Sequence, residues 1–165
     1  MESFVLPTLI CGIILFYFST SNADEKPIRK EKFRQFGGNM VNIQYPSFTV
    51  NNSYTTKENT EMKPKIRLAP LKLSTFIMYD PDAVKPQWVH HLVINIPNGN
   101  LSEGKEILSY KGPTPPSGTH RYIFEQLEQS YPFSISLSRG GFDINNFKKE
   151  NDLIRKESKI MYVSA

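Results

Sequence analysis

A proline-rich segment at residues 112–118, Gly-Pro-Thr-Pro-Pro-Ser-Gly, most constrains what this chain can fold into. Proline lacks a backbone N–H and has a fixed φ, so the segment can form neither a helix nor a central strand. It lies between two runs with the length and composition of β-strands, residues 88–96 and 120–127. The 165-residue chain holds 12 prolines and 9 glycines, which favours turns and short strands over a helix bundle. The sequence therefore predicts an ordered loop between two strands of a single all-β domain.

The rest of the chain fits the same class. An apolar run at 71–79 ends at Asp80-Pro81-Asp82, a typical turn sequence. Asp143 is placed to cap a short helix through Lys149. Further short strands are predicted at residues 41–45, 48–50, 133–137 and 160–163, where 133–137 alternates apolar residues with serine. We predict an all-β sandwich or barrel with one or two short helices.

The first 23 residues are predicted to be a secretory signal peptide. Residues 4–18 carry no charge, are too short to span a membrane, and are followed by Ser21 and Ala23, small residues suited to signal peptidase. The n-region holds Glu2 and no basic residue, so an uncleaved N-terminal membrane anchor is the alternative. We predict cleavage after Ala23 and secretion, then a charged leader at 24–35 and a folded domain at 36–165.

Cleavage would change the net charge and the cysteine content of the mature chain. Glu2 is the one charge lost, so the net charge would rise from +4 to +5, and the single cysteine, Cys11, would be lost. Cysteine-based zinc sites and disulfides are then excluded. Asn51 and Asn100 each begin an N-glycosylation sequon. The basic residues of the leader alternate with acidic ones, which indicates a solvated segment rather than a nucleic-acid patch; weak attraction to an anionic membrane surface is also expected.

The three histidines are the residues most suited to chemistry. In a regular strand, His90 would share a face with Trp88, and His91 would point to the opposite face. His120 and Tyr122 would share a face of the following strand. One hypothesis is a donor-rich pocket beneath the proline loop for a phosphate-like anion, with Asp80 nearby. The alternative is that these are hydrogen-bonded core residues.

Enzymatic interpretations have weak support in the sequence. No nucleophile elbow, Walker loop or dinucleotide fingerprint is present. A metal site formed by His90, His120 and Asp80 would lack any local spacing motif, so we predict no metal, no cofactor and no catalytic residue.

Two motifs resemble a known family. Residues 80–83, Asp-Pro-Asp-Ala, with 88–97, Trp-Val-His-His-Leu-Val-Ile-Asn-Ile-Pro, resemble the first signature of the phosphatidylethanolamine-binding proteins, also called the Raf kinase inhibitor protein family. Residues 112–124 resemble the second, and weaker resemblance extends from Phe36 to Tyr162. The resemblance implies a β-sandwich with a small pocket for phosphate, other small anions or phospholipid headgroups. By position, the implied pocket residues are Asp80, Trp88, His90, Gly112, Pro115, Pro116, His120 and Tyr122.

The chain also departs from the family pattern. Val84 stands where the family usually has proline, the 83–87 segment is short, and a pocket tyrosine of that segment has no counterpart. The C-terminal helix of the animal cytosolic members also has no counterpart before Ala165. Both departures predict a more open pocket rim. Arg121 paired with Asp82 is expected to be structural.

Two functions follow from the resemblance. The first is a secreted, non-enzymatic binding protein for a phosphorylated headgroup. The second is regulation of a protein partner, such as inhibition of an extracellular serine protease through surface loops.

Overall fold

The computed structural model describes residues 41–85 and 87–165. These residues form eight β-strands and one α-helix. The strands are β1 (Asn42–Gln44), β2 (Ser53–Thr56), β3 (Lys65–Arg67), β4 (Leu73–Asp80), β5 (Trp88–Pro97), β6 (Lys105–Leu108), β7 (Thr119–Gln129) and β8 (Leu153–Ser164). The helix α1 is Ile144–Glu150, and Asp143 caps it by accepting hydrogen bonds from the N–H groups of Asn145 and Asn146. The all-β prediction is confirmed, as is the capped helix.

Six of the strands form one sheet in the order β2-β8-β7-β4-β5-β6. The four long strands β8, β7, β4 and β5 are antiparallel neighbours at its centre, and β2 pairs parallel to β8 at one edge. Strands β1 and β3 form a separate antiparallel pair. The turns that end β4 and begin β5 and β7 therefore lie at the same end of the large sheet.

The large sheet is covered on both faces. On one face, buried residues such as Phe76, Phe124 and Met161 form a core with Ile43 of β1 and the partly buried Ile66 of β3. On the other face, Ile77, Leu92 and Leu127 pack with two residues of α1, Ile144 and Phe147. β4 and β5 bury side chains on both faces, which explains why their sequences read as nearly continuous apolar runs.

Residues 133–137 correct one prediction. Their side chains alternate between half-buried and exposed, as the sequence predicts, but the segment pairs with no neighbouring strand. The buried Gln129 and the side chain of Asn95 hold it instead. Asn95 Nδ2 donates to the Phe133 carbonyl at 2.8 Å, and Gln129 Nε2 donates to the Tyr131 carbonyl at 2.8 Å. Side-chain amides thus supply hydrogen bonds that a strand ladder would otherwise provide.

The predicted short strand at 48–50 is also absent, because only Thr49 pairs, with Gln44. Asn51 and Asn100, which begin the two sequons, are both exposed. The predicted signal peptide and charged leader lie outside the described residues. In the part of the chain that the structure covers, no helix combines the length and apolar character needed to cross a membrane.

Candidate functional site

The predicted site residues converge where β4 ends and β5 and β7 begin. Asp80 is the last residue of β4 and lies opposite Trp88, the first residue of β5. His120 of β7 donates from Nδ1 to Asp80 Oδ2 at 2.7 Å. The rings of His90 and Tyr122 meet edge to face with centroids 5.0 Å apart. The strand ends therefore bring together five predicted site residues that are up to 42 positions apart in the chain.

A β-bulge in β5 overturns the predicted separation of the two adjacent histidines. Met78 lies opposite His91 while Tyr79 lies opposite Val89, so His90 is an extra residue in β5. Such a residue breaks the alternation of faces. The His90 ring contacts Tyr122, and the centroids of the His91 and Phe76 rings are 5.6 Å apart. Because Tyr122 and Phe76 belong to one core cluster, both histidines face the same core.

His91 nevertheless takes no part in the candidate pocket. Its Nε2 lies 2.9 Å from Glu106 Oε1 on β6, and its ring is fully buried. Burial lowers the pKa of His91 to about 4, and Lys63 near Glu106 adds to that effect. His91 is therefore a neutral core residue at physiological pH.

The hydrogen bonds fix the tautomers of both pocket histidines. His90 Nδ1 lies 2.7 Å from the Lys111 carbonyl, which can only accept, so Nδ1 carries a proton. His120 Nδ1 likewise donates to the Asp80 carboxylate. The Nε2 atom of each ring is then an acceptor when the ring is neutral and a donor when it is protonated. These histidines can donate to an anion through Nε2 only in their protonated form.

Burial sets the electrostatics of the site. His90 is 4% exposed, and desolvation lowers its pKa, with Arg139 and Lys111 also opposing its positive charge. Tyr122 is 1% exposed, and desolvation followed by the charge of Asp80 raises its pKa. Tyr122 therefore remains a phenol and keeps its O–H donor across the physiological range.

The proline loop is anchored to this cluster at its start, where the backbone of Lys111 makes two hydrogen bonds with His90. Gly112 lies against the main chain, because a Cβ there would be 3.0 Å from the Thr60 carbonyl oxygen. Pro115 is buried, whereas Pro116 is exposed on the outside of the loop. The structure thus places Pro115 within the loop packing and Pro116 at its surface.

Arg121 and Asp82 form the structural pair that the sequence predicts. Asp82 Oδ2 accepts from both the backbone N–H and Nε of Arg121 at 2.9 Å, and Oδ1 accepts from Nη2 at 2.6 Å. The guanidinium holds the pKa of Asp82 below its usual value. This pair fixes the turn after β4 to the start of β7, and the backbone N–H of Asp82 in turn donates to Asp80 Oδ1 at 2.8 Å.

Three residues of the site are not evident from the sequence: Lys111, Arg139 and Gly140. Lys111 Nζ lies 5.6 Å from the centroid of the Trp88 ring. Arg139 donates to the carbonyls of Val89 and His90, both at 3.1 Å. A Cβ on Gly140 would be 3.0 Å from Trp88 Cε3, so glycine lets this segment pack against the indole. The one signal for this segment in the sequence is Arg-Gly-Gly at residues 139–141, since glycine allows the backbone to pack closely against another group.

Within residues 41–85 and 87–165, no three His, Cys, Asp or Glu side chains lie close enough together to hold a metal ion. A cavity of about 660 Å³ lies elsewhere, between β3, β5 and the 99–104 turn, and its lining includes none of the predicted ligand-binding residues.

The arrangement suits binding of a small anion. The two histidines can each supply a donor on protonation, Arg139 and Lys111 add positive charge, and the Tyr122 ring lies against His90. Trp88 and the proline loop supply apolar walls.

Comparison with known proteins agrees with this fold. The sequence model of the family described as phosphatidylethanolamine-binding protein matches residues 19–162. Protein MOTHER of FT and TFL1 homolog 2 of Oryza sativa subsp. japonica is 31% identical over 115 residues. That match spans 58% of this chain and just under two thirds of the relative, 66%.

Two solved structures show the same fold. A carboxypeptidase Y inhibitor, complexed with the cognate proteinase, superimposes with a TM-score of 0.67 and 21% identity, over 76% of this chain and 83% of that one. A phosphatidylethanolamine-binding protein from Plasmodium vivax gives a TM-score of 0.61 and 19% identity, over 75% and 84%. With the family model matching most of its length, this chain belongs to the phosphatidylethanolamine-binding protein family.

Proposed function

We propose that this protein binds a phosphate group, free or as a phospholipid headgroup, in the pocket formed by Asp80, His90, His120 and Tyr122. It binds its ligand and does not transform it, and it acts outside the cell after cleavage near Ala23. The observation that carries the pocket proposal is the pair of histidines held by Nδ1 hydrogen bonds to fixed acceptors. This leaves Nε2 of each ring for a ligand oxygen.

Anion binding by such a pocket takes up protons. A bound anion stabilises the protonated form of His90, whose pKa is lowered in the free protein. The affinity therefore rises as the pH falls and weakens as the pH rises, by about tenfold per unit where binding takes up one proton. An ordinary histidine titrates at about pH 6 to 7, so the sequence alone predicts that the anion affinity changes in that range. Because burial lowers the pKa of His90, its contribution extends to lower pH.

Sulfate is the appropriate probe, since phosphate itself changes charge near pH 6. We expect amide chemical shifts of Asp80, His90 and His120 to titrate with sulfate, with a dissociation constant that increases steadily from pH 5 to pH 8. The His90→Gln variant keeps a polar side chain that does not titrate, so its profile should be flatter. A dissociation constant that does not change with pH in the unmodified protein would refute anion binding by protonated histidines. So would the absence of saturable amide shifts on adding sulfate.

Protease inhibition is a second candidate function, favoured by the similarity to the carboxypeptidase Y inhibitor structure. We propose that any such inhibition acts through surface loops and not through the pocket. Inhibition of a serine carboxypeptidase should then persist in the double variant His90→Ala, His120→Ala at unchanged inhibition constant. Loss of inhibition together with loss of sulfate binding would contradict the surface-loop mechanism.

A further inference from the structure

The side chains at the mouth of the candidate pocket are predominantly cationic. The Lys111 ammonium lies over the Trp88 ring, with 5.6 Å between Nζ and the ring centroid. On the Gly140 side of the indole, the Lys85 side chain comes close, with Cδ 3.4 Å from a Cβ built on that glycine. The Arg139 guanidinium lies beside the backbone of β5, where it donates to the His90 carbonyl. Arg139 and Lys111 are near enough to oppose the positive charge of His90.

The nearby carboxylates are already engaged. Asp80 accepts hydrogen bonds from His120 Nδ1 and from the Asp82 N–H. Asp82 accepts three hydrogen bonds from Arg121. An ammonium group on a ligand would therefore find no unpaired carboxylate among these pocket residues. The face of tryptophan is the other preferred site for an ammonium, and Lys111 already occupies it.

We propose that the pocket selects phosphate monoesters without a cationic group over the zwitterionic phosphoethanolamine headgroup, and that Lys111 determines this specificity. The proposal rests on the phosphate pocket of the proposed function and names its ligand class. Lys111 repels the ethanolamine ammonium, occupies the aromatic face that could hold it, and attracts a phosphate dianion. The shared chemistry is an alkyl phosphate dianion, which can come from a soluble ester or from a phosphatidic acid headgroup.

Ethyl phosphate and phosphoethanolamine form a matched pair of probes, because they differ only in the ammonium group. At pH 7.5 both phosphate groups carry close to two negative charges. By amide shift titration, we expect ethyl phosphate to bind about fivefold more tightly, the size expected of one partly exposed charge interaction. Equal or tighter binding of phosphoethanolamine would overturn the proposal, even if both ligands bind in the pocket.

The Lys111→Met variant tests the residue itself. Methionine keeps an unbranched stem, and the two hydrogen bonds that the backbone of residue 111 makes with the backbone and ring of His90 do not depend on its own side chain. The ratio of the two dissociation constants should fall to about one, because the repulsion is lost and the Trp88 face is vacated. Lys149→Met is the control, since Lys149 is exposed on α1 and its replacement removes the same charge. An unchanged ratio in Lys111→Met, or an equal fall in Lys149→Met, would overturn the role of Lys111.

Vesicles separate the two sources of the ligand. Phosphatidylcholine vesicles containing either phosphatidic acid or phosphatidylethanolamine would be sedimented with the protein, with and without ethyl phosphate. Phosphatidic acid vesicles that retain the protein until ethyl phosphate releases it support a lipid source. Binding of soluble ethyl phosphate alone supports a free ester, and preferential retention by phosphatidylethanolamine would overturn the proposal. If inorganic phosphate and both esters all fail to bind, the proposed function fails together with this inference.

Discussion

Replacing Asp80 with asparagine is expected to weaken sulfate binding at pH 6 by about 10- to 100-fold, the range seen when a group that orients a metal-ligating histidine is removed. The Asp80 carboxylate accepts from both His120 Nδ1 and the Asp82 N–H. Asparagine offers one acceptor oxygen, so one of these N–H groups would face its NH₂ group. His120 would then lose the fixed acceptor that orients its ring.

Loss of the negative charge does not offset this effect. Both carboxylate oxygens of Asp80 are already engaged, one with His120 Nδ1 and the other with the Asp82 N–H. The larger change is in the orientation of the His120 ring, and so of the Nε2 atom that remains for a ligand oxygen.

Asp82→Asn is the matched control, since it makes the same chemical change two residues away, where the carboxylate bonds to Arg121. We expect it to change sulfate affinity less than about threefold, as exposed ion pairs contribute little. Thermal denaturation of both variants would show whether the fold is retained. Unchanged sulfate affinity in a folded Asp80→Asn variant would mean that the orientation of His120 by Asp80 does not contribute to anion binding.

Much of the fold could be predicted because its signals are local. β4, β5 and β7 are apolar runs ended by turn residues, and Asp143 caps α1 as its position before Ile144 predicts. The 133–137 segment could not be predicted in the same way. Its alternation correctly indicates which side chains face the core, but periodicity carries no information on the hydrogen-bond partner. Here the partners are the side chains of Asn95 and Gln129.

Some residues of the candidate site could be predicted from the sequence, and others could not. Asp80, His120 and Tyr122 could be grouped from strand ends and strand faces. The bulge that turns both His90 and His91 toward one core leaves no mark in the sequence, because either histidine fits a regular strand. Lys111 and Arg139 could not be found, since charged residues in loops are usually solvated and only the fold brings them to Trp88 and the β5 backbone.

A buried carboxylate in β7 gives the largest expected effect on stability. Glu125 is 2% exposed, and its Oε2 lies 2.5 Å from Lys148 Nζ of α1, whose side chain is 19% exposed. Arg155 lies farther away, with Nη1 at 3.6 Å from Oε1, and is half exposed. Burial, followed by the charge of Glu125, raises the pKa of the neighbouring Tyr79. Lys148 is therefore the principal partner of a charge that is out of contact with water.

The Lys148→Met variant is expected to lose about 2–3 kcal/mol of unfolding free energy. Breaking a buried pair from one side costs roughly 3–5 kcal/mol, and here Arg155 remains to offset part of it. Lys149→Met should cost less than about 0.5 kcal/mol, because Lys149 is exposed on the same helix. Urea denaturation of both variants gives the comparison directly.

Adding Glu125→Gln to Lys148→Met should restore most of the lost stability. A buried amide costs far less to desolvate than an unpaired carboxylate, so the double variant should unfold within about 1 kcal/mol of the unmodified protein. The two changes would then be strongly non-additive, as expected for residues in direct contact. If the double variant is instead less stable than Lys148→Met by the full cost of Glu125→Gln alone, the two side chains act independently. α1 would then be held to the sheet by the apolar contacts of Ile144 and Phe147 alone.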